Sequence, residues 1–188
     1  MNRRHLVLAP LAALGLAACG DKPAEAPPAA KLTAREAYEL ATKAHGFTVG
    51  QLMAANTVYV FFDTTCPHCA ALWASAKPLL GRLKMVWIPI GLLQRASTAQ
   101  GATILSAPDP AAAMEENEAS LLARGGGITA NPSLSDEVLA KIKENTELFQ
   151  RLGADSVPLI VYRNARSAEF GMHPGSVDTA QLAAMAGV

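Results

Sequence analysis

The sequence has few cysteines, few aromatic residues and no excess of either charge. Its 188 residues include 16 basic and 16 acidic side chains, so the formal net charge is +0. Proteins that bind nucleic acid carry a basic excess or stripe, and this composition argues against nucleic acid as a partner. Aromatic residues make up 5% of the chain, against 51% for all hydrophobic residues. We therefore expect helices rich in alanine around a few central strands.

The N-terminus has a short basic segment followed by an apolar one. The apolar run from Leu6 to Ala18 is too short for a transmembrane helix and is typical of a secretory signal peptide. It ends in Leu16-Ala17-Ala18-Cys19-Gly20, which resembles the lipobox of bacterial lipoproteins. This predicts a lipoprotein signal peptide at residues 1–18 and a lipid on Cys19, with an ordinary signal peptide and a chance cysteine as the alternative. Both interpretations predict an exported protein.

Three further segments follow the predicted signal peptide. Residues 19–32 begin with the lipidated cysteine and are rich in proline and alanine, which predicts a flexible tether. Residues 33–55 are predicted to be an N-terminal helical segment. It starts at the capping-box pattern Thr33-Ala34-Arg35-Glu36 and ends in a helix or loop from Thr48 to Ala55. Residues 56–188 are predicted to form the main domain.

Cys66 and Cys69 stand where an apolar segment ends. Residues 58–62 are all β-branched or aromatic, which predicts a buried strand. From Pro67 onward the composition favours a helix, with proline in the first turn, where its missing N–H costs little. Cys66 is therefore predicted at a helix N-terminus. Backbone N–H groups and the helix dipole there favour the thiolate, which is the form of cysteine that attacks disulfides.

The dipeptide between the cysteines, Pro67-His68, is interpreted as the feature that sets the redox potential of the dithiol. His68 adds a hydrogen-bond donor that becomes cationic near neutral pH. Cysteines in this type of motif have pKa values of about 3.5 to 7.5, compared with about 8.5 for a free cysteine. A lowered pKa at Cys66 would stabilise the reduced dithiol and make the disulfide more oxidising.

Other interpretations of the cysteine pair were weighed. A structural zinc site needs about four ligands, but the chain has only Cys19 besides the pair, and its remaining histidines show no paired spacing. A structural disulfide across two residues would close too small a loop to add much stability. Gly125-Gly126-Gly127 lacks the lysine and the strand-loop-helix context of a phosphate-binding loop. We therefore predict no metal and no cofactor.

The order of elements predicts an α/β fold. After the strand and helix around the dithiol comes a second apolar run, Met85 to Ile90, and then a long helical stretch at about residues 97–153. The chain returns to strands at Val157 to Tyr162 and at 168–172, and it ends in a helix from Thr179 to Ala186. A C-x-x-C motif at the first strand-helix junction of such an order is typical of a thioredoxin-like fold. The helical stretch would be an insertion between the second and third core strands.

Several segments together resemble periplasmic thiol:disulfide interchange proteins of the DsbG/DsbC type. The resemblance covers roughly residue 56 to the C-terminus, and it is carried by Tyr59 to Cys69, Trp73, Lys77-Pro78, Ala107 to Pro110, and Asn145 to Pro158. It implies a thioredoxin fold with a helical insertion, in which Cys66 is the attacking cysteine and Cys69 the resolving one. It also implies that Val157-Pro158 is the cis-proline loop that faces the dithiol and pairs with substrate backbone.

The sequence departs from this family in three respects. Only about forty residues separate Cys19 from the first strand, so we expect no N-terminal dimerisation domain and a monomeric protein. The Pro-His dipeptide resembles that of the oxidant DsbA. Val60 stands where thioredoxin and DsbA have a buried acid, which leaves Asp63 as the nearest carboxylate in sequence. Asp63 is interpreted mainly as a cap at the end of the strand.

The function predicted from these features is disulfide exchange with cysteine-containing periplasmic proteins by a membrane-anchored lipoprotein of a bacterium. The direction, whether oxidation or isomerisation and reduction, depends on a membrane partner, either a DsbD-like reductant or a DsbB-like oxidant. The alternative is a binding protein, namely a periplasmic chaperone or a thioredoxin-fold lipoprotein that handles copper through Cys66, Cys69 and a histidine.

Overall fold

A five-stranded mixed sheet forms the centre of the structure, a computed structural model that describes residues 32–54 and 57–188. The described residues belong to one compact unit, Lys31–Val188. The predicted signal peptide, Cys19 and nearly all of the predicted tether lie outside them. In chain order the strands are β1 (Phe47–Gly50), β2 (Thr57–Asp63), β3 (Lys84–Ile90), β4 (Leu159–Arg163) and β5 (Phe170–Pro174). The helices are α1 (Ala34–Ala41), α2 (Pro67–Ala76), α3 (Ser97–Ser106), α4 (Pro110–Leu122), α5 (Asp136–Arg151) and α6 (Thr179–Ala186).

The strands lie in the order β1-β3-β2-β4-β5, so β2 is central. It runs parallel to β3 and antiparallel to β4, with Val60 between Trp87 and Ile160. The carboxyl ends of β2 and β3 therefore meet at one edge of the sheet. Helix α2 starts at this edge and is followed by a 3₁₀ turn, Lys77–Leu79, which contains Pro78. The predicted thioredoxin-like α/β order is confirmed.

The predicted helical insertion consists of α3, α4 and α5, between β3 and β4. Two of its helices begin at side-chain caps. Asp109 accepts a hydrogen bond from the N–H of Ala112, and Ser135 accepts one from the N–H of Val138. Such caps satisfy N–H groups that have no partner within the helix, and they define where α4 and α5 begin within the predicted helical stretch.

The predicted helical segment at residues 33–55 is only partly helical. Helix α1 begins at the expected capping box, in which Thr33 and Glu36 bond each other's backbone N–H. The prediction of a helix or loop from Thr48 to Ala55 was wrong for residues 48–50, which belong to strand β1, antiparallel to β3, whereas residues 51–54 form a loop as predicted. Phe47 and Val49 are buried and their neighbours exposed, the two-residue period of a strand. Gly50 has φ +86°, and a Cβ there would lie 2.2 Å from the carbonyl oxygen of Leu83, so this turn requires glycine.

The few aromatic residues concentrate in the core. Trp87, Phe61, Phe62 and Phe149 are among the largest side chains that are fully buried. Trp73 of α2 packs edge-to-face on Trp87 of β3, with ring centroids 5.0 Å apart, and this contact fixes the helix that carries the cysteines against the sheet. Within residues 32–54 and 57–188, no helix combines the length and apolar character of a membrane-spanning segment.

Candidate active site

Cys66 occupies the N-cap position of helix α2, in an extended backbone conformation. Pro67 is in the first turn, and the backbone N–H groups of Cys69 and Ala70 donate to the carbonyl oxygen of Cys66 at 3.0 and 3.3 Å. The strand-helix junction that the sequence predicted is therefore present. Both cysteines are free thiols, 3% exposed at Cys66 and 0% at Cys69. Of the two cysteines, only Cys66 is slightly exposed to solvent.

The pKa of Cys66 is lowered to about 6. The largest cause is the hydrogen bond that the side chain of Cys69 donates to its sulfur. Burial acts in the opposite direction, and smaller lowering effects come from the backbone N–H groups of Cys69 and His68 and from the charge of His68. Donors that point at a thiolate stabilise the charged form. About nine-tenths of Cys66 is therefore thiolate at pH 7, compared with a few per cent of a free cysteine.

Cys69 has the opposite character. Burial raises its pKa well above the ordinary value, and the hydrogen bond to Cys66, the charge of Cys66 and the charge of Glu118 act in the same direction. A buried thiol stays protonated because the charged form loses its hydration. The two sulfurs thus form one thiolate and one thiol at neutral pH, a pair in which only one member is a nucleophile at rest.

The intervening dipeptide lies at the surface, since Pro67 and His68 are both exposed. The charge of His68 is the last and smallest of the causes that lower the pKa of Cys66. Exposed charges are screened by water and salt. The prediction that this dipeptide sets the redox potential stays a prediction, and in this geometry the partner cysteine and the backbone contribute more than the imidazole.

The loop before β4 faces the dithiol. Its peptide bond between Val157 and Pro158 is cis, the geometry that the family resemblance implies. The sulfur of Cys66 lies 3.5 Å from the carbonyl oxygen of Val157, and as a thiol it donates to that oxygen. Pro158 in turn accepts a hydrogen bond from the N–H of Gly175 in the loop after β5, at 2.7 Å. The structure thus brings together Cys66 and Val157, which are 91 residues apart in sequence.

Asp63 acts as a cap at the end of β2, as its preferred interpretation predicts. It is fully buried, and both of its carboxylate oxygens accept hydrogen bonds. Oδ1 accepts from the backbone and hydroxyl of Thr65 and from the hydroxyl of Ser97, while Oδ2 accepts from the N–H groups of Leu92 and Leu93 at 2.9 Å. The carboxylate nearest to the dithiol in sequence therefore has all its hydrogen bonds to the residues after β2, the loop after β3 and the start of α3.

Sequence reasoning missed Glu118. This glutamate lies on α4, is 2% exposed, and acts electrostatically on Cys69, while Cys66 acts on it. Its signal in the sequence was weak because α4 shows no clear apolar stripe. The buried positions of the helix are Met114, Asn117 and Glu118, so two of the three are polar. Only the packing of α4 against α2 shows that this face is internal.

Possible metal ligands are sparse in the described part of the chain. Across residues 32–54 and 57–188, no group of three or more histidine, cysteine, aspartate or glutamate side chains is arranged to hold a metal ion. Of the predicted site residues, Cys66, Pro67, His68 and Cys69 lie at the start of α2 with Val157 and Pro158 beside them. Cys19, the predicted lipidation site, lies outside the described residues.

Comparison with known proteins matches the chain to two DsbG proteins. It is 32% identical over 132 residues to the thiol:disulfide interchange protein DsbG of Escherichia coli, covering 68% of this chain and 52% of that protein. It is 28% identical over 158 residues to DsbG of Pseudomonas aeruginosa, covering 82% of this chain and 60% of that protein. The chain thus spans between one half and two thirds of the length of these relatives. No family model matches the sequence.

Solved structures with the same fold include Proteus mirabilis ScsC in a compact conformation. Its TM-score is 0.64 at 20% identity, over 85% of this chain and 80% of that one. A periplasmic thioredoxin-like protein from Salmonella enterica serovar Typhimurium has a TM-score of 0.61 at 15% identity, over 83% of this chain and 97% of that one. At such identities the likeness concerns the fold. The sequence matches and the fold together show that this chain is a DsbG/DsbC-type relative of the thiol:disulfide interchange proteins, built on a thioredoxin-like domain.

Proposed function

We propose that this protein is a periplasmic thiol:disulfide oxidoreductase that exchanges disulfides with cysteine-containing proteins through Cys66 and Cys69. The observation that carries the proposal is the inequality of the two thiols. The pKa of Cys66 is lowered to about 6, whereas that of Cys69 is raised well above the ordinary value. One sulfur is thus ready to attack at neutral pH, while its partner is held back until a mixed disulfide has formed.

The reaction follows from these roles. The thiolate of Cys66 attacks one sulfur of a substrate disulfide, so that a Cys66–substrate bond forms, the substrate disulfide breaks, and one substrate thiolate leaves. Cys69 then loses its proton and attacks the sulfur of Cys66. This releases the second substrate thiolate and leaves the Cys66–Cys69 disulfide, with two electrons transferred to the substrate. Run in reverse, the same steps oxidise a substrate dithiol.

Substrate backbone is proposed to bind at Val157-Pro158. The carbonyl oxygen of Val157 lies 3.5 Å from the attacking sulfur, and both residues of the loop are buried at the start of a strand. An extended substrate segment that pairs with this carbonyl would bring its own cysteine next to Cys66. Pairing with backbone selects for an extended conformation and little for side-chain identity, which suits an enzyme with many protein substrates.

The proposed setting is the periplasmic side of a membrane, with the domain anchored by a lipid on Cys19. This rests on the basic and apolar N-terminal segments, on the lipobox-like sequence before Cys19, and on the oxidising compartment in which such dithiols act. A membrane redox partner would regenerate the active form: a DsbD-like reductant would restore the dithiol, whereas a DsbB-like oxidant would restore the Cys66–Cys69 disulfide. The redox state of the cysteines in intact cells distinguishes these partners, because a reductant keeps them as thiols.

The test is to trap substrates on Cys66. In Cys69→Ala the second step is blocked, so we expect mixed disulfides between Cys66 and periplasmic proteins, identified by mass spectrometry after non-reducing separation. The double variant Cys66→Ala/Cys69→Ala is the matched control and should trap nothing. Purified wild-type protein should also catalyse the reduction of insulin disulfides, and Cys66→Ala should lose this activity at least a hundredfold. Unchanged turnover of insulin disulfides by Cys66→Ala would refute the proposal.

A further inference from the structure

Glu118 is a buried acid without a complete set of hydrogen bonds. It belongs to the buried face of α4 that starts at Met114, which Asn117 and Glu118 follow at helical spacings of three and four residues. Its Oε1 accepts a hydrogen bond from Nδ2 of Asn117 at 3.2 Å. Its Oε2 is buried and has no partner in the part of the chain that the structure describes. A buried carboxylate with one free oxygen is costly in the charged form, so the group gains a proton readily.

Helix α4 is fixed against the dithiol at two points. Nδ2 of Asn117 donates to the carbonyl oxygen of Thr64, two residues before Cys66, at 3.0 Å. One turn away, Glu115 accepts hydrogen bonds from Nε1 of Trp73 at 2.7 Å and from Nζ of Lys77 at 2.6 Å, both from the segment that begins at the cysteines. These contacts hold α4 against the segment that carries the cysteines, where the charge of Glu118 acts on Cys69 and the charge of Cys66 acts on Glu118.

The charges around Glu118 are few. Burial is the main reason that its pKa is raised to about 8, the charges of Cys66 and Glu115 add to this, and the hydrogen bond from Asn117 opposes it. The charge of Glu115 is itself offset by Lys77 at 2.6 Å. Helix α3 and strand β1, which also pack on α4, contain no titratable side chain, and the carboxylate of Asp63 is fully hydrogen-bonded. The thiolate of Cys66 is therefore the one neighbouring charge in the described chain that redox chemistry creates and removes.

We propose that Glu118 is the proton partner of the redox couple: it holds its proton more tightly while Cys66 is a thiolate and releases it at a lower pH once the Cys66–Cys69 disulfide removes that charge. The proposal rests on the proposed function, since it concerns the same two cysteines. Glu118 acts here through the dithiol and is not a group that touches substrate. It adjusts the redox equilibrium of the dithiol, and it belongs to the inserted helix α4 and not to strand β2, which precedes the cysteines.

The protons and electrons of the reaction balance as follows. When a substrate dithiol reduces the Cys66–Cys69 disulfide, the substrate loses two electrons and two protons and becomes a disulfide. The two electrons break the Cys66–Cys69 bond. One proton binds Cys69, Cys66 stays a thiolate, and Glu118 takes up the second proton to the extent that it was ionised in the oxidised protein. Without Glu118 this second proton would go to solvent.

This linkage has a consequence that can be measured. A group that binds a proton on reduction makes reduction harder as the pH rises, by up to tenfold in the equilibrium constant per pH unit, which is about 30 mV for a two-electron couple. The equilibrium with glutathione should therefore be compared, between about pH 5 and pH 9, for wild type and Glu118→Gln. Glutamine keeps the oxygen that accepts from Asn117 but never carries a charge.

We expect the two proteins to agree near pH 5, where Glu118 is neutral in both redox states. Above about pH 7 they should diverge, with Glu118→Gln the more readily reduced by several-fold to tenfold, because it lacks the negative charge beside the thiolate. Glu118→Asp keeps an ionisable carboxyl group, so its equilibrium with glutathione should vary with pH in the same way as that of wild type. Glu116→Gln, which removes an exposed carboxylate two residues away, is the matched control and should follow wild type throughout.

The result that overturns the inference is a Glu118→Gln curve that parallels wild type, or an equal divergence in Glu116→Gln. Should Glu118→Gln fail to fold, as judged by circular dichroism, the infrared difference spectrum of wild type decides. A protonated carboxyl band must appear on reduction near pH 7.5, and its absence refutes the proposal. Failure of the proposed function looks different, because wild type itself would then not equilibrate with glutathione.

Discussion

At the scale of single residues, the site works by giving two neighbouring cysteines opposite environments. Cys66 caps a helix and receives hydrogen bonds from the side chain of Cys69 and from backbone N–H groups. Cys69, one turn further on, is fully buried with no compensating charge. Helix geometry places the cap residue among backbone donors and turns the residue three positions later toward the core, and tertiary packing then buries that second residue.

The thiolate of Cys66 should titrate with a midpoint of about pH 6, measured by its ultraviolet absorbance. Since the lowered pKa favours the thiolate, the rate of reaction with a small disulfide should rise with pH through this midpoint and level off above it. In Cys69→Ala the midpoint should move up towards about 8.5, because the largest stabilising donor is lost. His68→Ala should shift it by less than about half a pH unit, since an exposed charge is screened. A larger shift in His68→Ala than in Cys69→Ala would contradict this ranking of causes.

At the scale of secondary-structure elements, α4 is the part of the insertion that shapes the site. Asn117 is fully buried, and its Nδ2 donates to Thr64 while its Oδ1 accepts from the N–H of Ile128 at 2.9 Å. Thr64 also donates from its hydroxyl to Gln100 of α3 at 3.0 Å. The segment just before Cys66 is thus fixed by two inserted helices through buried polar groups, which are costly to leave unpaired.

Asn117→Ala should destabilise the protein by about 2 to 4 kcal/mol, since it leaves the carbonyl oxygen of Thr64 and the N–H of Ile128 buried without this partner. Urea unfolding of the reduced protein measures this directly. Asn131→Ala is the matched control: that asparagine is exposed and accepts one hydrogen bond from Ser133, so the expected loss is below about 1 kcal/mol. Equal losses in the two variants would show that the buried network contributes little.

At the scale of the whole molecule, the insertion also joins the N-terminal segment to the sheet. Asn145 of α5 is 1% exposed, and its side chain bonds both backbone groups of His45, accepting from N–H at 2.8 Å and donating to the carbonyl at 2.7 Å. It also donates to the carbonyl oxygen of Pro89 near the end of β3, at 3.0 Å. One side chain therefore connects the α1–β1 loop, β3 and the insertion.

Asn145→Ala should lower the free energy of unfolding by about 2 to 4 kcal/mol, because three backbone groups lose a buried partner. Its neighbour offers a matched control. Glu144 pairs with the ring of His45 at 2.7 Å, but its side chain is 62% exposed. Exposed ion pairs contribute about 1 kcal/mol or less, so Glu144→Gln should unfold at nearly the wild-type urea concentration. If Glu144→Gln were the more damaging change, the N-terminal segment would be held by charge and not by Asn145.

The sequence by itself determined the elements whose signals are local. Composition defined the buried strand β2, proline and the cysteines marked the start of α2, and the apolar pattern indicated the inserted helical stretch at about residues 97–153. The dithiol followed from the spacing of Cys66 and Cys69. Strand β1 was missed because a four-residue strand that ends in glycine carries little periodicity, and its strand conformation depends on pairing with β3.

Tertiary structure alone decided which groups surround the sulfurs. The carbonyl oxygen of Val157 contacts Cys66 from a segment 91 residues away, and the carboxyl group of Glu118 acts electrostatically on Cys69 from about fifty residues away. Asp63, the acid closest in sequence, is instead bound by loop N–H groups and hydroxyls. Local propensity sets where a helix begins, but the burial that raises the pKa values of Cys69 and Glu118 exists only after α4 has packed on α2. The cysteine pair and its reaction could be inferred from the sequence, whereas the burial and the charges around the two sulfurs depend on the fold.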